Sequence, residues 1–357
     1  MEARIAQVAV KAGVSIATVS RAFAKPDLVS PKTRKRVYEA AESLNYSISR
    51  SATAMKTGHS FRIALLVSED IATWFNSRLF SGLNAVLSTA GYDIVIYQIE
   101  TPEERRSFFE TLPVRRNADA VIVSSFAIEA DETRRLRSVG VPIIGINPPV
   151  PNVCDASIRI DDRGGMRQMV EYLISLGHTD IAYISPVITT RLSHSAEARA
   201  LGFRDACASA STSIRSRELF FDERSDSSME QLADRIVDLG EDMPTALCCY
   251  ADLGALPLAF ALQRRRIDIP GRISLAGFDD ATYSAQYGLT TMRQDPRRLG
   301  TLAARRTLDF IGDESVQESS AGEREHDASS AIDETNRHTV VNLDLMPRLT
   351  TGRPIRR

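Results

Sequence analysis

Residues 12 to 23 read AGVSIATVSRAF, and their types suit a short helix that enters the major groove of DNA. Gly13 readily takes the positive φ needed where two short helices meet in a turn. Val19 and Phe23 are four apart and can face a core, while Arg21 carries a forked guanidinium that can pair with O6 and N7 of guanine. An amphipathic surface helix after a glycine turn would give the same pattern. The stretch alone therefore leaves both interpretations open.

The neighbouring segments predict a unit of three helices around this stretch. Residues 5 to 11, IAQVAVK, form a first helix with apolar residues on one face. Ser15 is a candidate N-cap for the second helix, and Ser30 with Pro31 is a candidate start for the third. The first turn of that third helix carries four cations: Lys32, Arg34, Lys35 and Arg36. Cations at a helix N-terminus interact unfavourably with the helix dipole. Four cations there therefore indicate a nearby phosphate backbone, and a solvated face is the alternative.

Charge is distributed unevenly along the 357 residues. The first 60 residues carry ten Lys and Arg against four Asp and Glu, whereas the rest of the chain carries 34 against 42. A basic module on an acidic body predicts a polyanionic partner for the module alone. At this length two or three structural units are expected, with apolar and charged fractions that are ordinary for a globular protein.

The residue patterns contain no motif typical of a metal site, a cofactor site or a catalytic site, and no segment typical of a membrane span. The four cysteines form no CxxC pair, so buried thiols are expected rather than a metal site or a disulfide framework; they are Cys154, Cys207, Cys248 and Cys249. No GxGxxG, GxxxxGK[ST] or GxSxG motif occurs. No apolar run approaches the roughly 18 residues of a membrane span, and no apolar leader begins the chain. We therefore expect a cytoplasmic protein, associated with the nucleoid when it is bound to DNA.

From Arg62 onwards, short apolar runs alternate with amphipathic stretches, which predicts doubly wound parallel α/β sheets. Strands are predicted at IALLV, YDIVIYQI, AVIVSS and PIIGI, then at DIAYIS, ELFF, TALCCY and RISLAGF, and finally at VVNLDL. Helices are predicted over residues 76–90, 102–112, 164–176, 197–208 and 253–265. The rhythm restarts after Ile160, so two similar halves would form a two-lobed body with a cleft for a small ligand.

Several longer motifs carry a resemblance to a known family across nearly the whole chain. They are VAVKAGVSIATVSRAF, VSPKTRKRVYEAAESLNY and KTG, followed by IDDRGG, YLISLGHTDIAYIS, RALGF, PTALCCYAD, DIPGRISLAGFDD, LTTMRQD and PRLTTGRP. The chain resembles the lac repressor (LacI/GalR) family of bacterial transcription regulators. This resemblance implies a small all-α helix-turn-helix domain, then a two-lobed α/β body like the type I periplasmic binding proteins. It also implies a homodimer that binds a pseudo-palindromic DNA operator and a small-molecule effector, most often a sugar or a derivative.

By this resemblance, the second helix reads the major groove of the operator. Ile16, Ala17 and Arg21 fall at base-reading positions of the family, and Thr18 and Ser20 fall where the family touches phosphate. The full set of expected DNA contacts is Ser15, Ile16, Ala17, Thr18, Ser20, Arg21, Lys32, Arg34, Ala52, Met55 and Lys56.

Residues 47 to 60 read as a polar linker, which in the family becomes a short hinge helix on DNA. Met55 falls at the position that inserts an apolar wedge between central base pairs, where the family usually has Leu. Ala52 would let the two hinge helices of a dimer approach closely. An unstructured tether, with Met55 packed on the body, is the alternative.

The resemblance also maps an effector site onto strand ends and loops of the body. The expected contacts are Asp70, Trp74, Phe75, Asn147, Arg199, Phe221, Asp279 and Gln294. Arg199, Asp279 and Gln294 match groups that bind ligand hydroxyls, and Trp74 would be an aromatic platform in the loop after the first strand. Alternatively, Trp74 packs in the core, Asp279 caps a turn and Arg199 forms a surface ion pair. Ala251 stands where the family often has an effector-binding Asn, so one polar contact is absent.

Pattern and resemblance together divide the chain into five parts. These are a helix-turn-helix domain at 1–46, a hinge at 47–60, a first lobe at 61–160 plus 290–312, a second lobe at 161–289 plus 338–352, and a mobile acidic loop at 313–337. The expected function is sequence-specific transcriptional regulation, most often repression, in which a carbohydrate bound between the lobes controls operator affinity. A solute-binding protein would need an export signal and no basic module, and an enzyme would need one of the missing motifs, so both are disfavoured.

Overall fold

A computed structural model describes residues 5–24, 26–46, 59–115, 117–187, 195–222, 225, 227–312 and 337–355. The chain forms two compact units, at residues 1–60 and 61–357. Ala52, Met55 and Lys56 lie outside the described residues, and so does nearly all of the predicted acidic loop, residues 313–336. The predictions of a hinge helix and a mobile loop therefore stay predictions.

The N-terminal unit consists of three helices around a small apolar core. They are α1 (Ile5–Ala12), α2 (Ile16–Ala24) and α3 (Pro31–Ser43), with a 3₁₀ turn at Pro26–Leu28. Val8, Val19 and Val37 are fully buried between the helices. The Ser30 hydroxyl accepts a hydrogen bond from the Thr33 N–H at 3.3 Å, so α3 begins where the sequence predicts.

The first lobe of the body is a six-stranded parallel sheet between two layers of helices. Its strands are β1 (Arg62–Val67), β2 (Asp93–Gln98), β3 (Ala120–Ser124), β4 (Ile143–Ile146), β5 (Ala156–Ile160) and β11 (His338–Val341), in the order β2-β1-β3-β4-β5-β11. Its helices are α4 (Trp74–Leu87), α5 (Pro102–Arg115), α6 (Ala130–Arg137) and α12 (Pro296–Ile311). Leu65 packs in the core beneath α4 and α12, and Leu66 packs in the core beneath α5 and α6, as expected for a sheet buried on both faces.

The second lobe repeats this topology with one reversed edge. Its strands are β6 (Asp180–Pro186), β7 (Arg215–Phe221), β8 (Ala246–Cys249), β9 (Ser274–Asp279), β10 (Thr290–Arg293) and β12 (Asp344–Met346), in the order β7-β6-β8-β9-β10-β12. Only β12 runs antiparallel to its neighbour in this described sheet. Its helices are α7 (Asp162–Ser175), α8 (Ser195–Ser209), α9 (Ser228–Asp238), α10 (Asp252–Arg264) and α11 (Ser284–Tyr287).

The division of the chain between the lobes differs from the predicted one at two segments. Residues 290–312 were expected in the first lobe, but β10 pairs with β9 in the second, and only α12 belongs to the first. Residues 338–352 were expected in the second lobe, but β11 pairs with β5 in the first. VVNLDL is therefore not one strand, because it crosses between the sheets. Apolar patterning marks a segment as a strand but does not say which of two open sheet edges it joins.

Several elements escaped the sequence patterns because their apolar signal is weak. The helix α6 buries a single large apolar side chain, Leu136, and β5 is only five residues long. Trp74 and Phe75 were expected in a loop but lie in the first turn of α4, because the Thr73 hydroxyl accepts a hydrogen bond from the Asn76 N–H and begins the helix early. Within the described ranges, no helix combines the length and the apolar character that a membrane span needs.

The helices α4 and α12 pack closely through two glycines. A side chain at Gly82 would collide with the backbone of α12 at Arg297, and one at Gly300 would collide with the backbone of α4 at Leu79. Glycine at both positions therefore allows the two backbones to approach, and this approach fixes the first turns of both helices beside each other.

Candidate functional site

The turn before α2 has the geometry that its sequence predicts. Gly13 has a φ of 61°, and the Ser15 hydroxyl caps α2 by accepting a hydrogen bond from the Thr18 N–H at 3.1 Å. The Arg36 guanidinium, from α3, donates to the carbonyl oxygens of Ala12 and Gly13. Arg36 was expected near a DNA phosphate, but its side chain instead fixes the turn of the helix-turn-helix. Only the folded arrangement of the helices brings Arg36 to these carbonyl oxygens.

The outer face of α2 presents the predicted reading residues to solvent. Ile16 is 51% exposed, and Ala17 and Arg21 are exposed beside it. The opposite face is closed, because Val19 and Ala22 are fully buried. The expected phosphate contacts Thr18 and Ser20 are half-buried, and Ser15 is exposed. The helix can therefore insert its outer face into a groove while its inner face stays in the core.

The cations at the start of α3 are not equivalent. Arg34 lies 3.7 Å from a carboxylate oxygen of Asp27, and Lys35 lies 3.9 Å from one of Glu39. Lys32 is exposed and has no ion-pair partner within the part of the chain that the structure describes. Among these cations Lys32 is the one whose charge is most fully available to a phosphate.

The body contains a buried charged cluster around Arg199. This residue is 5% exposed, and its Nε donates to Asp162 Oδ1 at 2.7 Å. Its Nη1 donates to the Tyr250 carbonyl at 2.7 Å and lies 3.4 Å from Asp279 Oδ1. The guanidinium also stacks on the Phe278 ring, with its central carbon 3.7 Å from the ring centre. The surface ion pair considered for Arg199 is therefore excluded, because the side chain is held on several sides within the protein.

Asp279 and Gln294 complete this cluster. The Gln294 Nε2 donates to Asp279 Oδ1 at 2.6 Å, which orients the amide so that its Oε1 points elsewhere. That oxygen is buried without a hydrogen-bond partner in the described structure. Burial raises the pKa of Asp279 to about 7, although Arg199 opposes the shift. Asp279 also has a φ of 125°, a strained conformation that a functional position can retain.

Asp252 supports the cluster from the start of α10. It is fully buried, and its carboxylate accepts hydrogen bonds from the Thr291 hydroxyl at 2.7 Å, the Ala281 N–H at 2.9 Å and the Ser284 hydroxyl. Burial raises its pKa to about 6, and these hydrogen bonds oppose the shift. Asp252 is the first residue of α10, and its side chain holds the loop after β9, β10 and α11 together.

A cavity of about 310 Å³ lies between the two lobes beside this cluster. The first lobe contributes Trp74 and Arg78 from α4. The rest comes from the loop after β9 (Asp280, Ala281, Thr282), from α11 (Ala285, Gln286), from the segment after β10 (Gln294, Asp295) and from the first turn of α12 (Pro296, Arg297). Gln294 thus belongs both to the buried cluster and to the wall of the cavity.

The structure brings together only part of the predicted effector set. Arg199, Asp279 and Gln294 are connected by hydrogen bonds, and Trp74 shares the cavity with Gln294. The other four predicted residues form hydrogen bonds or apolar contacts with other parts of the protein. The Asn147 side chain accepts from the Ile160 N–H at 3.0 Å, the Asp70 carboxylate accepts from the Ala72 N–H at 2.8 Å, and Phe75 and Phe221 pack against the apolar cores.

Asp162 and Tyr250 are cluster residues that the sequence did not single out. Asp162 is the first residue of α7, two positions after β5 of the first sheet ends, and Tyr250 directly follows β8 of the second sheet. Carboxyl ends of neighbouring parallel strands meet at one edge of a sheet. Because β8 and β9 are neighbours in the second sheet, this position was the available signal for Tyr250, at the same edge as Asp279. Asp162 follows a strand of the other sheet, so this signal does not apply to it.

Comparison with known proteins agrees with this architecture. Residues 4–49 match the family described as bacterial regulatory proteins, lacI family, and residues 170–324 match a periplasmic binding protein-like domain. The chain is 30% identical over 308 residues to the HTH-type transcriptional regulator GalR of Escherichia coli (strain K12), covering 86% of this chain and 88% of that protein. It is 27% identical over 316 residues to the HTH-type transcriptional repressor PurR of Aliivibrio salmonicida (strain LFI1238), covering 87% and 93%.

Solved structures share the fold over almost the full chain. The lac repressor dimer bound to operator and the anti-inducer ONPF superposes with a TM-score of 0.76 at 23% identity, covering 99% of this chain and 100% of that one. The transcriptional regulator CelR in its cellobiose complex gives a TM-score of 0.63 at 25% identity, covering 98% and 100%. The predicted family and the predicted two-part fold are both confirmed. The chain belongs to the lacI family of bacterial regulatory proteins, and it is therefore a DNA-binding transcriptional regulator that responds to a small ligand.

Proposed function

We propose that this regulator binds a pseudo-palindromic operator as a homodimer and that a carbohydrate bound between its lobes controls operator affinity. The observation that carries the effector proposal is the cluster of Arg199, Asp279 and Gln294 at the carboxyl ends of the second sheet. Ligands of doubly wound folds bind at this end of the strands. Repression is the expected sign of regulation at the operator.

The chemistry of the cluster suits hydroxyl groups. The Gln294 Oε1 has no donor, and the Asp279 carboxylate can accept further hydrogen bonds beside the one from Gln294, so donors on a ligand suit both groups. The Trp74 ring lines the adjoining cavity and offers an apolar face to a sugar ring. CelR, whose structure holds cellobiose, is similar over nearly the whole chain, which supports a carbohydrate for this protein as well.

On the DNA side, Arg21 is the residue best suited to a strong polar base contact. Its guanidinium is exposed on the reading face of α2 and can bond a guanine in the major groove. Ile16 and Ala17 offer apolar contacts, for instance to a thymine methyl group. Ser15, Thr18, Ser20, Lys32 and Arg34 would position the unit on the phosphate backbone, and Ala52, Met55 and Lys56 would contact the centre of the operator.

Control by the ligand requires unequal affinity for two arrangements of the body. A carbohydrate that prefers one arrangement of the lobes shifts the population towards it, and operator affinity changes with that population. A ligand that weakens operator binding is an inducer, and one that strengthens it is a corepressor. Measuring the operator Kd with and without the ligand distinguishes the two.

An operator-binding assay tests this proposal. A duplex selected from a random library by the full-length protein is titrated by fluorescence anisotropy, with and without a panel of free sugars, sugar derivatives and nucleosides. We expect one group of sugars to change the operator Kd and expect Asp279→Asn to abolish the response, while sedimentation gives a dimer. Tight operator binding that no compound alters would refute the carbohydrate-control proposal, and a monomer on the operator would refute the dimer.

A further inference from the structure

Two guanidinium groups in the cavity between the lobes have no carboxylate to neutralise them. Arg78 lies in the second turn of α4, and Arg297 lies in the first turn of α12. Both line the cavity, and within the described residues neither side chain has an ion-pair or hydrogen-bond partner. Both are exposed, so their charge is open to a molecule that enters the cavity.

The carboxylates that line the same cavity are already committed. Asp280 pairs with Arg293 at 2.9 Å and with Arg348 at 2.7 Å. The Asp295 carboxylate caps α12 by accepting from the Arg298 N–H at 3.0 Å. The four arginines around the cavity, which are Arg78, Arg297 and the two that pair with Asp280, therefore outnumber its two lining acids, and the cavity has an excess of positive charge.

The N-terminus of α4 adds to this positive potential, whereas the Asp295 carboxylate offsets that of α12. The 14-residue α4 begins at Trp74 and the 16-residue α12 begins at Pro296, and both of these residues line the cavity. The N-terminal end of a helix carries partial positive charge and unpaired N–H groups, which favour an anion. The close packing of the two helices through Gly82 and Gly300 keeps both ends at the same place.

Gln294 adds an independent sign that a ligand binds here. It is 6% exposed, and its Nε2 is occupied by Asp279, while its buried Oε1 has no partner. A buried acceptor without a partner costs stability, so it is commonly satisfied by a ligand or a water molecule. Because Gln294 lines the cavity, a hydroxyl group of a bound molecule can satisfy it.

Arg199 cannot fulfil the role of an anion receptor. Its Nε and Nη1 are bonded to Asp162 and to the Tyr250 carbonyl, its face covers Phe278, and Asp162 and Asp279 already balance its charge. An anionic ligand group would therefore gain little at Arg199 and would add to two carboxylates. Arg78 and Arg297 are the arginines that can receive it.

We propose that this cavity binds the anionic group of the effector, held by Arg78 and Arg297, so that the effector is a hydroxylated compound bearing a phosphate or a carboxylate. One of its hydroxyls bonds Gln294 Oε1, and its ring faces Trp74. Gln294 connects this site to Asp279 through a hydrogen bond of 2.6 Å. The inference rests on the proposed function, because it names the chemistry of the molecule that occupies the cleft.

Trp74 makes the charge of the cavity directly measurable, because it is the only tryptophan of the chain. Its fluorescence in the full-length protein is quenched with iodide and, separately, with caesium, and each quenching constant is divided by that of free tryptophan for the same ion. We expect iodide to quench more strongly than caesium and expect inorganic phosphate to protect Trp74 from iodide. In Arg78→Ala/Arg297→Ala the preference for iodide should disappear, and phosphate protection should weaken by about tenfold or more, because charge-assisted hydrogen bonds are lost.

Arg298→Ala is the matched control, since Arg298 neighbours Arg297 on α12 but does not line the cavity. It should quench like the unmodified protein, and circular dichroism checks that each variant is folded. Equal quenching by the two ions in the unmodified protein would overturn the inference. So would an iodide preference that the double variant retains.

The operator assay identifies the ligand class and separates the two proposals. Glucose, glucose 6-phosphate, glucuronate and inorganic phosphate are compared first, followed by other hexoses with their phosphates and acids. We expect the phosphate or the acid of one sugar to change the operator Kd at concentrations where the free sugar does not, and expect the double variant to respond to neither. A response to a free sugar that the double variant keeps would overturn this inference and leave the proposed function standing, whereas no response to any compound would refute the proposed function.

Discussion

The reading face of α2 and the cluster around Arg199 differ in where their polar groups lie. Ile16, Ala17 and Arg21 are exposed on a helix whose inner face alone belongs to the core. Arg199 and Asp279 are enclosed by the second lobe and bonded to each other before any ligand arrives. Substitutions on α2 should therefore change DNA binding without changing stability, whereas substitutions in the cluster should change both stability and the response to a ligand.

The largest effect that this comparison predicts is on stability, at Arg199. In Arg199→Met, Asp162 and Asp279 stay buried without their shared counter-charge, which should lower the free energy of unfolding by about 3–5 kcal/mol. Urea denaturation followed by Trp74 fluorescence measures this loss. Arg204→Ala is the control on the same helix, because the Arg204 side chain is 56% exposed and its pair with Glu218 should contribute less than about 1 kcal/mol. Equal losses at the two arginines would contradict the view that the cluster is a buried charge network.

The second prediction concerns pH and the carboxyl group of Asp279. Its pKa is about 7 in the folded protein, raised by burial from its usual value of 3.8. Between about pH 4 and about pH 7 the folded chain therefore binds more protons than the unfolded chain. The contribution of this group to stability is complete below its unfolded pKa and falls as pH rises through the folded value, by at most about 1.4 kcal/mol per pH unit.

The variant Asp279→Asn replaces this carboxyl group with an amide of the same size, which does not titrate. We expect the stability of the variant, relative to the unmodified protein, to rise as pH increases from about 4 to about 7 and then to level off. Taking the difference cancels the titration of distant groups that both proteins share, but not that of Asp252, whose charge contributes to the raised pKa of Asp279. Thermal unfolding across this pH range provides the measurement. A difference that does not vary with pH would show that Asp279 titrates normally and is not buried as described.

The third prediction tests the exposed side of the comparison. Arg21→Ala should weaken operator binding by about 1–3 kcal/mol and relax preference at one base position. The melting temperature should stay unchanged, because Arg21 is exposed and outside the core of the N-terminal unit. Anisotropy titrations against operators with single base changes measure both affinity and preference. If Arg21→Ala binds and discriminates like the unmodified protein, Arg21 does not contact a base as proposed.

The same contrast explains how much of the molecule the sequence predicts. Gly13, Ser15 and Ser30 act through bonds to residues within a few positions, and each does in the structure what its local sequence predicts. Strands and helices of the body also follow from apolar spacing over short windows. Local physics is sufficient for the helix-turn-helix and for the alternating elements of the two lobes.

Local sequence patterns could not predict the contacts between segments that are distant along the chain. Arg36 is as basic as its neighbours in α3, and only the folded unit shows that it bonds the Ala12 carbonyl across 24 positions. Asn147 looked like a ligand contact, but the pairing of β4 with β5 brings it to the Ile160 N–H. The exchange of β10 and β11 between the lobes has the same origin, since the partner of an edge strand is chosen by the assembled sheet.

The smallest predicted effect is at Lys32, which tests whether exposure on α3 means contact with phosphate. Lys32→Ala should weaken binding by a similar factor for all DNA sequences and should reduce the slope of log K against log salt by about 1, because one fewer counterion is released. Lys35→Ala is the matched control in the same turn, and its change should be smaller, since Lys35 already lies 3.9 Å from Glu39. Binding measured at several salt concentrations separates the two variants. A change in base preference at Lys32→Ala would place this side chain in a groove, and an unchanged slope would leave α3 a merely solvated face.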